Sequence, residues 1–190
     1  MGALLVIFVF AVVILTFYLY SCYVKVIKSG NAVREAKSSI DVQFRKRYDL
    51  LPNILTIAAK FMTHEKEIFT KITELRTQAL QAPAGSQEAF VCNQKLDGLL
   101  GQLKVSMENY PTLKSDATMT QAMKTYNEVE EHIAAARRFY NSAVTQLRNY
   151  VMIFPTSLFK DLVKEEMQST YYEIEESGQR GAINASDYLK

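Results

Sequence analysis

Two stretches of this chain set histidine beside carboxylates, the side chains that hold metal ions or move protons. His64-Glu65 begins like the helix motif of zinc proteases, where two histidines one turn apart bind the metal and the glutamate serves as base. The second histidine belongs at position 68, which is Ile68, so the ligand set stops at one. Glu128, Glu130, Glu131 and His132 have the composition of di-iron bundle helices. Those sites need Glu-x-x-His on two helices, and the position three before His132 is Val129. The chain has only 2 histidines, so no metal and no cofactor is expected, and His64 reads as a bundle-edge residue bonded to a carboxylate or carbonyl. No glycine-rich phosphate loop occurs, and no serine or cysteine has a base beside it. The expectation is a protein that is not an enzyme.

The remaining charge pattern concerns surfaces. Arg45-Lys46-Arg47 and Arg137-Arg138 are basic runs on helical segments, while Glu173, Glu175 and Glu176 lie in an acidic C-terminal stretch. Together they form a candidate interaction surface in which solvated arginines pair with glutamates of adjacent helices or subunits. A net charge of +2 gives no reason to invoke nucleic acid. Cys22 and Cys92 do not make a disulfide framework; Cys92 reads as a core residue on an apolar stripe.

These groups must be positioned by helices, and the first of them is decisive. Residues 1–24 contain no charged residue and no histidine; Lys25 is the first charge. A helix of that length spans roughly 36 Å, enough to cross a hydrocarbon core of about 30 Å. A secretory signal would need a positive n-region, which is missing here, so the segment reads as a retained anchor. Phe17, Tyr18, Tyr20 and Tyr23 crowd one end as an aromatic belt, followed by Lys25 and Lys28. The positive flank predicts an outside N-terminus and a cytoplasmic bundle, with membrane lipid as a partner. The Arg45–Arg47 run lies roughly 30 Å further along a straight helix, beyond a Debye length of about 8 Å, so it is not read as a lipid site.

The rest of the chain is apolar at steps of three and four, which predicts an all-α fold: a transmembrane helix and a long antiparallel bundle of three to four helices. One stretch runs from Asn31 to Gln81 with Pro52 inside it. The apolar phase continues across Pro52, so a kink is favoured over a reversal there. Pro83, Gly85 and Ser86 break the pattern, with Ser86 as an N-cap. A second stretch carries Ala89, Cys92, Leu96, Leu99, Leu103, Met107 and Tyr110, and a third runs from Met119 to Val151. Phe154-Pro155 ends it, and Leu158, Phe159, Leu162 and Val163 suggest a short closing helix. The expected organisation is a span over 1–24, a bundle over 25–164 and an acidic tail over 165–190.

The stretch Ile40-Asp41-Val42-Gln43-Phe44-Arg45-Lys46-Arg47-Tyr48-Asp49-Leu50-Leu51-Pro52-Asn53 resembles the signature of the bacterial LemA family. His64-Glu65, Tyr110-Pro111-Thr112-Leu113-Lys114, Ala135-Ala136-Arg137-Arg138-Phe139-Tyr140-Asn141 and Phe154-Pro155 follow in order. Lys37 stands where the family usually has Trp. The resemblance implies structural roles for Asp41, Gln43, Asp49, Pro52, Asn53, His64, Glu65, Tyr110, Pro111, Tyr140, Asn141, Phe154 and Pro155. It also implies the bacterial inner membrane, and it supplies no reaction.

The functional expectation is a membrane-anchored, non-catalytic scaffold that forms a homo-oligomer and organises or remodels the membrane. The alternative is a tethered adaptor that recruits a membrane protease or hydrolase through a bundle face or the acidic tail.

Overall fold

A computed structural model describes residues 1–83 and 85–172. Helix α1 runs from Gly2 to Ala58 without a break, followed by α2 (Lys66–Gln81), α3 (Gln87–Met107), the single turn α4 (Pro111–Lys114) and α5 (Ala117–Met152). A 3-10 helix (Thr156–Val163) and the short α6 (Lys164–Met167) close the order, with no strand among the described residues. The all-α reading therefore holds. The bundle has four helices in up-down-up-down order, because α2, α3 and α5 each reverse the long helix before it.

Helix α1 and α5 form the main antiparallel pair, and α2 and α3 pack on each other beside it. Buried positions along α1 step by four and three: Cys22, Val26, Ser29, Val33, Ala36 and Ile40, then Phe44, Arg47, Leu51, Ile54 and Ala58. Helix α3 repeats the alternation at Ala89, Asn93, Leu96, Leu100, Leu103 and Met107. That average step of 3.5 is the coiled-coil period, which keeps one seam facing its partner along the whole bundle. The seam slips at one level. Ala36, Ile40 and Phe44 are two successive steps of four, and α5 there buries both Ala143 and Val144. An added step of this kind locally unwinds a supercoil.

Pro52 does not turn the chain. It is exposed within α1, and the apolar stripe passes it in phase. A proline cannot donate to the carbonyl four residues back, here Tyr48. Arg76 of α2 fills that gap: its Nε donates to the Tyr48 carbonyl at 2.6 Å. Arg76→Ala is expected to lose about 1–2 kcal/mol by leaving that carbonyl unpaired. The loss should shrink in a Pro52→Ala background, where a new N–H can reach the same oxygen. Denaturant titration of the four-variant cycle measures the difference, and equal losses in both backgrounds would refute the pairing.

The reversal comes seven residues later, over residues 59–65, so the expected continuous stretch from Asn31 to Gln81 is two helices. No glycine or proline marks the turn. Helix α1 instead tightens as Lys60 and Phe61 donate to Ile57 and Ala58, and buried Met62 plugs the end of the core. The cap expected at Ser86 is present, its Oγ accepting from the Ala89 N–H at 3.1 Å, and Asp116 Oδ1 caps α5 in the same way, accepting from the Met119 N–H at 2.8 Å.

Gly30 does not interrupt α1 either. It lies under the 3-10 helix, where an added Cβ would come within 2.7 Å of Val163 Cγ1. Gly30→Leu is expected to cost about 1–3 kcal/mol through overpacking. Thermal unfolding followed by circular dichroism tests this, with Gly2→Leu, where nothing lies within 4 Å, as the neutral control.

Candidate functional site: a buried charge lock and a membrane-proximal collar

The charged groups of three helices meet inside the bundle. Arg47 occupies a core position of α1 and is 0% exposed. Its guanidinium donates to Asp97 and Asn93 of α3, and to Glu130 of α5 at 3.2 Å. Arg137 of α5 donates to the other Asp97 oxygen at 3.0 Å. Asn93 Oδ1 also accepts from the Tyr48 hydroxyl at 2.7 Å, while its amide donates to the Ala89 carbonyl at 2.8 Å. Both guanidinium groups lie over the Phe44 ring, at 5.2 Å and 5.5 Å from its centroid.

The cluster balances two cations with two carboxylates. Burial opposes the Arg47 charge, but Asp97 and Glu130 outweigh it and hold the guanidinium pKa above its usual value. Burial, followed by the Glu130 carboxylate, pushes the Tyr126 phenol well above its ordinary range. These bonds tie α1, α3 and α5 together at one level of the bundle.

The basic runs thus divide. Arg45, Lys46 and Arg138 are exposed and remain on the surface. Arg47 is withdrawn from the expected interaction surface, and Arg137 is mostly buried beside it. Arg47 continues the stripe Ile40, Phe44, Leu51, Ile54 at its four-three spacing, a signal outranked by its charged neighbours. Asn93, Asp97 and Glu130 were not singled out for this role from sequence. Asn93 takes the core place expected of Cys92, which is half-buried.

His64 sits exposed in the α1–α2 turn and makes no hydrogen bond among the described residues, so its expected bond is absent. Glu128, Glu131 and His132 are exposed, whereas Glu130 turns inward. Among the described residues, no three histidine, cysteine or acidic side chains converge as metal ligands.

The other motif residues are spread along the bundle. Asp41 Oδ1 accepts from the Gly85 N–H at 3.1 Å, tying the α2–α3 turn to α1. Burial raises the Asp41 carboxyl above its ordinary value, against Gly85 and Lys37, which lower it. Gln43 is half-buried with Oε1 unpartnered among the described residues, while Asp49 and Asn53 are exposed. Glu65 and Tyr110 precede α2 and α4, and Pro111 opens α4.

Tyr140 and Asn141 grip the returning chain. Asn141 Nδ2 donates to the Tyr172 carbonyl at 3.0 Å and Oδ1 accepts from the Tyr172 N–H at 2.9 Å. The Tyr140 hydroxyl donates to the Thr170 carbonyl at 3.2 Å. The Tyr172 ring packs edge-on against Phe90 and Tyr140 at 4.9 Å and 5.0 Å, at the level of the two successive steps of four in α1. A cavity of about 280 Å³ opens beside this segment, lined in part by Lys37, Ser86, Gln87 and Gln168. Glu173, Glu175 and Glu176 lie outside the described residues, as does the rest of the acidic tail beyond Tyr172.

At the other end the 3-10 helix and α6 form a collar on α1. The Tyr23 ring meets Phe159 edge-on at 5.7 Å, Val163 covers Gly30, and Arg34 pairs with Glu166. Phe17, Tyr18, Tyr20, Lys25 and Lys28 are exposed, and so is Phe154; Pro155 is half-buried. The N-terminal part of α1 is long and apolar enough to cross a membrane, and none of its most apolar window is buried.

These features define a class: an all-helical membrane-associated protein in which one long apolar helix continues into a charge-locked bundle. The sequence profile of the LemA family matches residues 36–185, so the chain belongs to the LemA family. Proteins of this family are not known enzymes. Protein LemA of Metamycoplasma hominis is 23% identical over 133 residues, covering 70% of this chain and 61% of that protein. Magnetosome proteins MamQ 1 and MamQ 2 of Paramagnetospirillum magneticum are each 25% identical over 168 residues, covering 75% of this chain and 62% of theirs. The chain therefore spans less than two thirds of the length of the curated relatives it matches.

Proposed function

We propose that this protein is a non-catalytic scaffold, anchored in the bacterial inner membrane with its bundle in the cytoplasm. Copies associate into a homo-oligomer that organises or remodels the bilayer. The observation that carries this reading is the unbroken α1, in which an exposed apolar segment and the spine of the bundle are one helix. A face made on the bundle then sets the position and angle of every span in the assembly. The exposed Arg45, Lys46 and Arg138, with acidic Glu173, Glu175 and Glu176, supply opposite charges for pairing between copies. Lys25 and Lys28 support the cytoplasmic side for the bundle.

The test is the mass and shape of the full-length protein in mild detergent, by light scattering and electron microscopy. A variant lacking residues 2–18, all exposed, is the comparison. A large symmetric particle that needs the apolar segment is expected. A monodisperse monomer over a wide concentration range would overturn the scaffold.

The cavity beside residues 168–172 favours a second reading, the tethered adaptor for a membrane protease or hydrolase. A stoichiometric partner that is retained by the full-length protein and released by Tyr172→Ala would select it.

A further inference from the structure

We propose that the collar is a second membrane contact: the corner from Met152 to Leu162 sinks into the headgroup boundary of the same bilayer that α1 crosses. The proposal rests on the reading of α1 as a span. Met152, Ile153, Phe154, Leu158 and Leu162 are large apolar side chains, all more than half exposed, with Phe154 at 77%. They cluster within eleven residues, and no charge occurs from Met152 to Phe159. Among the described residues, exposed large apolar side chains beyond the span are otherwise single, such as Val42, Val105 and Phe139. Contiguous exposed apolar surface of this kind marks an interaction site.

What covers it follows from its place in the fold. Phe159 touches Tyr23, two residues before the first charge of the chain. The collar is thus held against α1 where the charge-free run ends, at the level of the acyl and headgroup boundary. Lys25, Lys28, Lys160 and Lys164 are exposed around it and suit anionic headgroups, with Asp161 and Glu165 as the exposed acids of the same corner. A short apolar element with a basic rim, lying beside a span, has the chemistry of an interfacial anchor. Its contacts with α1 and α5 then hold the bundle at a fixed attitude to the membrane plane.

The chain contains no tryptophan, so single substitutions report their own surroundings. Full-length Phe154→Trp, Leu158→Trp, Phe10→Trp and Phe139→Trp variants are placed in proteoliposomes, with or without lipids brominated near the top of the acyl chain, or near its end for the mid-span Phe10→Trp. Iodide is the aqueous quencher. At Phe154→Trp and Leu158→Trp, bromolipid is expected to quench emission, and iodide quenching is expected to fall about threefold below that at Phe139→Trp. Iodide access at Phe154→Trp equal to that at Phe139→Trp, with Phe10→Trp quenched by bromolipid, overturns the collar contact while the span stands. Shielding from iodide without bromolipid quenching means that a protein surface covers the patch, which also overturns it. Loss of bromolipid quenching at Phe10→Trp removes the span reading, and the collar contact with it.

Discussion

Asp97→Ala is expected to lower the stability of this protein by about 3–5 kcal/mol, the usual result of removing one partner from a buried ion pair. Arg47→Met is expected to lower it by less, although Arg47 is the more deeply buried residue. The asymmetry comes from which charge is left behind. Without Asp97, the Arg47 guanidinium keeps Glu130 but stays at 0% exposure with half its compensation gone. Without Arg47, the Asp97 and Glu130 side chains remain 35% and 32% exposed and can draw water, and Arg137 still neutralises Asp97. A methionine fills much of the vacated stem volume. Urea titration of the full chain in detergent measures both changes. The double variant Arg47→Met with Asp97→Ala should be more stable than Asp97→Ala alone, because it removes the stranded charge. A double variant that simply adds the two losses would show that the cluster does not act as a unit.

Tyr172→Ala is expected to cost about 3 kcal/mol, near the lower end for truncating a large buried aromatic. Its ring joins Phe44, Phe90 and Tyr140 across three helices, so truncation opens a void between them. The backbone clamp is tested separately. Asn141→Asp keeps the acceptor for the Tyr172 N–H but turns a donor into an anion facing the Tyr172 carbonyl. Both variants should speed proteolysis within residues 168–172, while Thr145→Ala, which removes an exposed hydroxyl contact to Tyr171, should not. Unchanged cleavage in Asn141→Asp would mean that the ring alone retains the segment.

The helices and most of their inner faces were legible where apolar residues carried the pattern, although α3 buries Leu100 where Leu99 was expected and leaves Leu99 half-buried. Every α5 residue assigned to the stripe, from Met119 to Val151, is buried. The pattern misled where the core contains polar groups. Asn93 holds a seam position between Ala89 and Leu96, yet adjacent Cys92 suits an apolar stripe equally well. Arg47 keeps the phase of the α1 stripe but stands in a run of three cations, and charge outweighed spacing. Its partners Asp97 and Glu130 lie 50 and 83 residues away, a pairing that only the fold brings together. The turn after Ala58 had no glycine or proline to announce it; the burial of Met62, a tertiary effect, decides it. Pro52 was the visible breaker and broke nothing, because Arg76 stands in for its missing donor.

The continuity of α1 has a mechanical consequence. From Lys25 to Ala58 the helix runs for roughly 50 Å without interruption. A transmembrane helix commonly tilts by about 20°, and at that angle the far end of this stretch swings sideways by roughly 17 Å. Helices tilt to match their apolar length to the thickness of the bilayer. Any tilt of the apolar segment in a bilayer would be carried by the unbroken helix, enlarged, to the far tip of the bundle, and a collar seated in the headgroups would hold that tip at one angle.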